Sequence, residues 1–158
     1  MTLKTKVLYL LPMALIWNSC SDDDTVVDDE KPTITVAYEN GFPTPCTGLQ
    51  RGGTYTIRAR VSDNDALAAY SIDIHHNFDH HTHDDQGASC ELAPLKQAVD
   101  PFIYMQNFQI EGNPGTYEIN REITIPENID TGDYHCQLSV TDRTGWQSRT
   151  SIDIKVIE

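Results

Sequence analysis

The stretch "DTGDYHCQLSV", Asp130 to Val140, narrows the possible folds more than any other part of the chain. Asp130, Gly132, Tyr134 and Cys136 stand in the D-x-G-x-Y-x-C order that opens strand F of an immunoglobulin-type domain. In that setting the tyrosine hydroxyl ties the preceding corner, and the cysteine two residues later points inward. Side chains alternate along a strand, so Tyr134, Cys136, Leu138 and Val140 are expected to face the core, and His135, Gln137 and Ser139 the outside. Strand B offers Ala59 and no cysteine, so Cys136 reads as a small core residue rather than half of an intersheet bridge.

Period-two alternation recurs in "TITVAY", "TYTIRARVSD", "YSIDIHH", "YEINREITIP" and "SIDIKVIE", each bounded by turn-formers such as "GFPTP", "SDNDA", "EGNPG" and "DRTG". The pattern predicts an all-β chain: an immunoglobulin-like antiparallel β-sandwich of about seven strands, with a long His-rich insertion after strand C. Counted from strand F, A lies near 33–38, B near 54–62, C near 69–77, E near 117–125, F near 133–141 and G near 147–157. "FIYMQNFQIE" (102–111) supplies D or a related strand. Because consecutive strands alternate in direction, the A–B loop, the segment after C and the E–F corner share one end. That end gathers Cys46, Cys90 and most of the histidines. A Cys46–Cys90 bridge would pin the roughly 25 residues after strand C, an unusual length for a free loop. Pairing either one with Cys136 would require the core cysteine to turn outward.

The histidines are concentrated in "HHNFDHHTHDD", His75 to Asp85, and the one elsewhere is His135. Imidazole is the commonest protein ligand for zinc, copper and nickel, and carboxylates complete or orient such shells. The candidate ligands are Asp73, His75, His76, His80, His81, His83 and His135. Asp73 and His75 on strand C neighbour His135 on strand F, His81 and His83 can fold over them, and His76 points toward the core in this register. Zinc is the first expectation, with copper or nickel also compatible. No H-E-x-x-H or C-x-x-C pair is present, so the signal is compositional, and the competing reading is a solvated polar loop. "SDNDAL" (62–67) has groups that can help bind calcium, but it lacks the glycine and distal glutamate of a calcium loop and reads as an ordinary turn. Trp146 sits in the F–G hairpin.

The chain opens with Lys4 and Lys6 and an eleven-residue apolar run, "VLYLLPMALIW", too short to span a bilayer; residues 1–19 read as a signal peptide. Cys20 follows in a lipobox-like setting, where its thiol takes a diacylglyceryl group. Pairing of Cys20 in a disulfide is the alternative. Residues 20–31 then form the lipidated cysteine and an acidic, disordered tether, and 32–158 a single domain. Losing 1–19 makes the formal charge of −13 about two units more negative. Such a chain attracts cations and excludes nucleic acid as an electrostatic partner.

The lipoprotein start together with "KPTI", "RGGTYTIRARVSDND", "YSIDIHHNFDHHTHDD" and "DTGDYHCQLSVTDRTGWQS" resembles a domain-of-unknown-function family of small Bacteroidetes lipoproteins, from about Lys31 to the C-terminus. The resemblance implies an immunoglobulin-like lipoprotein of the cell envelope and no established activity. The acidic run after Cys20 resembles the surface-export signal of Bacteroidetes lipoproteins, which implies an outer-membrane, lipid-anchored protein at the cell surface; the histidine cluster leads to capture or handover of a transition metal, with an envelope protein as a further partner. The alternative is an adhesion module for a glycan, peptide or partner protein, with the histidines incidental. No nucleophile motif or phosphate loop is present, and the expectation is a non-enzyme. A metallohydrolase with three ligands and an open position is the third reading.

Overall fold

The computed structural model describes residues 27–83 and 90–158; the leader, Cys20, most of the acidic stretch, and Asp84 and Asp85 of the histidine tract lie outside the described residues. Alternating apolar residues form eight strands: β1 Thr33–Thr35, β2 Thr47–Gln50, β3 Thr54–Ser62, β4 Leu67–His76, β5 Tyr104–Gln109, β6 Thr116–Thr124, β7 Gly132–Asp142 and β8 Gln147–Ile157. No helix occurs among the described residues. The strands pair into a three-stranded sheet, β1-β3-β6, and a five-stranded sheet, β2-β8-β7-β4-β5. One sheet packs on the other as an immunoglobulin-like β-sandwich.

The inward residues meet in one core. Ile57, Ala59 and Val61 of β3 and Ile119 and Ile123 of β6 come from the smaller sheet. Tyr70, Ile72 and Ile74 of β4, Cys136, Leu138 and Val140 of β7, and Ile152, Ile154 and Val156 of β8 come from the larger. Each fully buried aliphatic side chain of this kind contributes about 1.5–3 kcal/mol, which lets these short strands hold against chain entropy.

Two strands depart from the expected count. β2 runs parallel to β8, with Leu49 opposite Val156; in "TGLQ" Leu49 alone is buried, too short a run to show alternation. Segment 102–111, expected as D or a related strand, yields β5, which pairs with β4 at the edge of the larger sheet. The smaller sheet therefore stops at β6.

The E–F corner forms as its motif predicts. The Tyr134 hydroxyl donates to the Asp130 carbonyl at 2.7 Å and accepts from the Phe102 amide at 3.1 Å. The Asp130 carboxylate accepts the Val99 and Asp100 amides at 2.7 and 2.9 Å, and these two bonds hold its carboxyl below the usual range. The corner thus fastens the segment that returns from the histidine tract to β5.

Cys46 and Cys90 are bridged, with Cα atoms 5.6 Å apart, and Cys136 is a buried free thiol. Burial pushes the Cys136 thiol up to about 12. Since the thiolate is the nucleophile, iodoacetamide at about pH 8 should leave Cys136 unmodified in the folded chain and label it in denaturant, as read by peptide mapping. Labelling at equal rates in both states would show that the core opens freely.

Candidate metal centre

The site is built on a row across the larger sheet. In register, His75 of β4 lies opposite His135 of β7, and His135 lies opposite Asp153 of β8. Directly opposed residues project to the same side, here the face away from the core. After β4 the chain turns: His80 adopts φ 58° and its amide donates to the Asn77 carbonyl at 3.3 Å. Residues 81–83 then run back over the row. His81 and His83, two apart, bring their rings to it, and Thr82 between them is exposed.

Four imidazoles meet. Ring centroids lie 5.4 Å apart for His75–His81, 5.2 Å for His75–His83, 5.6 Å for His75–His135, 5.2 Å for His81–His83, 5.0 Å for His81–His135 and 4.7 Å for His83–His135. Within this group His75, His81 and His83 each offer a nitrogen within 4.8 Å of the other two. His135 is completely buried beneath them and does not belong to that triad. It lies on the outward face of β7, as alternation requires, but the returning loop removes it from solvent.

Among the described residues, carboxylates stand behind His75, His81 and His135. His75 Nδ1 donates to Asp73 Oδ1 at 3.0 Å, and His81 Nδ1 to Asp79 Oδ1 at 2.6 Å. His135 Nδ1 is 2.9 Å from Asp153 Oδ1 but makes no hydrogen bond. An ionised carboxylate only accepts, so the proton sits on Nδ1 of His75 and His81 and Nε2 of each carries the lone pair, the one on His75 facing His83 Nε2 in a hydrogen bond. The His75 and His83 Nε2 atoms are 3.2 Å apart. Tetrahedral zinc with Zn–N of about 2.0–2.1 Å spaces neighbouring nitrogens by about 3.3 Å, so this separation suits two ligands of one ion. Burial pushes the His135 imidazole below its ordinary value, keeping it neutral. Its Nε2 lies 3.3 Å from the His81 carbonyl, which ties the floor of the site to the loop above.

A family model described as a domain of unknown function, DUF4625, matches residues 18–157. The chain belongs to the DUF4625 family. No curated protein matches the sequence.

The DUF4625 domain does not gather every candidate. Asp73 supports His75 from behind. His76 turns to the core side, where its ring stacks on Phe78 at 4.8 Å and its Nδ1 is buried without a hydrogen-bond partner. His80 bonds the Ala93 carbonyl through Nε2 at 2.9 Å and braces the returning segment. Two carboxylates beside the rings were not among the candidates. Asp79 lies inside the histidine tract, two residues before His81, the same spacing as Asp73 to His75, and that repeat was a usable signal. Asp153 sits in an ordinary-looking "SIDIKV", and only the β7–β8 register brings it to His135.

The disulfide bears on the same corner. The Cys46 amide donates to the Asp153 carbonyl at 2.8 Å, and the Cys90 amide to Asp153 Oδ2 at 3.3 Å. Downstream, the Ala93 amide donates to Asp133 Oδ2 at 2.7 Å, and Lys155 Nζ to the Glu91 carbonyl at 2.7 Å. Both ends of the bridge therefore rest on the residue beside His135.

Proposed function

We propose that this DUF4625 protein binds a transition metal, zinc first, through His75, His81 and His83, and captures or delivers it at the cell envelope. The observation that carries the reading is the ring arrangement: three convergent imidazoles, with Nδ1 of His75 and of His81 on a carboxylate and the lone pair of each on Nε2. That carboxylate–histidine pairing is the usual outer support of a metal site, since it fixes the tautomer and raises ligand basicity. Copper or nickel is accommodated by the same donors. With three ligands the fourth position is available to water, to a partner's side chain or to an acceptor protein, which suits exchange better than permanent storage.

The envelope location is part of the proposal. It rests on the short apolar leader, on Cys20 placed directly after it for acylation, and on the acidic run that follows; the family match, from residue 18, takes in that cysteine. The lipid would anchor the chain to the outer membrane.

The full chain, purified without a histidine-affinity step, should carry about one zinc per molecule by elemental analysis and melt lower after chelation. Substoichiometric metal together with a chelator-insensitive melting point would overturn the assignment.

One observation favours the adhesion reading as second choice. Leu95, Val99 and Ile103, in the segment leading into β5, and Met105, on the edge strand β5, are exposed, and exposed apolar residues can mark a partner surface.

A further inference from the structure

At the opposite pole of the sandwich, three carboxylates from distant parts of the chain converge. Asp63 follows β3, Asp142 ends β7, and Asp28 precedes β1; each offers an oxygen within 4.8 Å of the other two. Two of them are already half committed. Asp63 Oδ1 accepts the amides of Asp65 and Ala66, both at 3.0 Å. Asp142 Oδ1 accepts from the Gly145 amide at 2.7 Å, the Trp146 amide at 2.9 Å and the Thr144 hydroxyl at 3.0 Å.

The other oxygen of each is the anomaly. Asp142 is 98% buried, being only 2% exposed, yet its Oδ2 has no hydrogen-bond partner; nor does the buried Oδ2 of Asp63. A buried carboxylate oxygen without a donor loses its hydration uncompensated, and three like charges this close disfavour one another. Among the described residues no lysine or arginine pairs with any of the three. Lys31 lies over the Trp146 ring at 5.9 Å. A cation held between the carboxylates would resolve both penalties.

We propose that Asp28, Asp63 and Asp142 form a calcium site that fastens the acidic N-terminal segment to the β3–β4 and β7–β8 turns. Oxygen-only, anionic donors select a hard cation over the metals suited to imidazole. Ligands drawn from three separate segments suit the adaptable shell of calcium better than the strict octahedron of magnesium. The Asp28 segment is already seated: its carboxylate accepts from Asn64 Nδ2 at 3.0 Å and Thr144 Oγ1 at 3.4 Å, and its carbonyl from Trp146 Nε1 at 3.1 Å. Calcium would turn this polar seat into a fixed joint, so that the cation sets how the domain stands on its N-terminal segment. The "SDNDAL" turn lacks a calcium-loop pattern because it supplies one ligand and the fold supplies the others.

The test uses the full chain, stripped with chelator and dialysed free of it. Titration calorimetry should give about one calcium per chain, and Asp28→Asn and Asp142→Asn should each weaken it about tenfold or more. Terbium bound at the site should luminesce on excitation of Trp146, and calcium should quench the signal by displacement. Asp28 lies outside every strand, so Asp28→Asn keeps the test decisive if Asp142→Asn fails to fold. Replacing His75 and His83 should leave calcium binding unchanged, which separates this site from the zinc proposal. Absence of calcium heat, or weak multi-site binding indifferent to Asp28→Asn, would overturn it.

Discussion

Replacing Cys46 and Cys90 together by alanine should lower the unfolding free energy by about 4 kcal/mol. The two cysteines are 44 residues apart in sequence, and closing a loop of that size removes entropy of this order from the unfolded chain. For a domain this size the melting point should fall by about 10 °C or more, read in thermal or urea unfolding under non-reducing conditions. Zinc affinity should fall as well, because the bridge rests on Asp153 from both ends and Asp153 flanks the buried His135. An unchanged urea midpoint would mean that the Ala93, Lys96 and Lys155 contacts already hold the segment after β4 without the covalent link.

His75→Ala and His83→Ala should each reduce zinc affinity by roughly a hundredfold, while Asp73→Asn, which removes only the carboxylate behind His75, should reduce it by about tenfold. His76→Ala and His80→Ala serve as contrasts, since one ring packs on Phe78 and the other braces Ala93; zinc binding should be nearly unaffected by either. Competition titration against a chromogenic chelator measures all five variants. A loss at His76 or His80 equal to that at His83 would place the ligands elsewhere. Protons compete with the metal for imidazole nitrogen, so affinity for the unmodified chain should fall steadily as pH is lowered.

Much of the fold was legible because its signals are local. Tyr134 and Cys136 announce the E–F corner within one short stretch, and alternation marks β3, β4, β6, β7 and β8 since each has one face in the core. β2 was not legible: one buried leucine in four residues has no period. The pairing of β5 with β4 was not legible either, because "YMQNFQ" is half-exposed and its partner is chosen by space left at a sheet edge.

The candidate site divides in the same way. His75 beside His135 could be read from the strand count, since register between neighbouring strands follows from which residues face the core. The Cys46–Cys90 link followed from the same count, as two cysteines brought to one end.

Sequence by itself determined the sandwich, the inward faces of its strands, and the concentration of imidazole at one end. Only the tertiary structure decided which histidines meet: a left-handed residue at His80 lies where the chain turns, and His81 and His83 come over the row. It also decided that Asp153 stands beside His135, and that Asp28, Asp63 and Asp142 share the other pole. The reason is physical: alternation specifies a face, whereas convergence depends on loop path and sheet order, which are settled by packing among residues far apart in the chain.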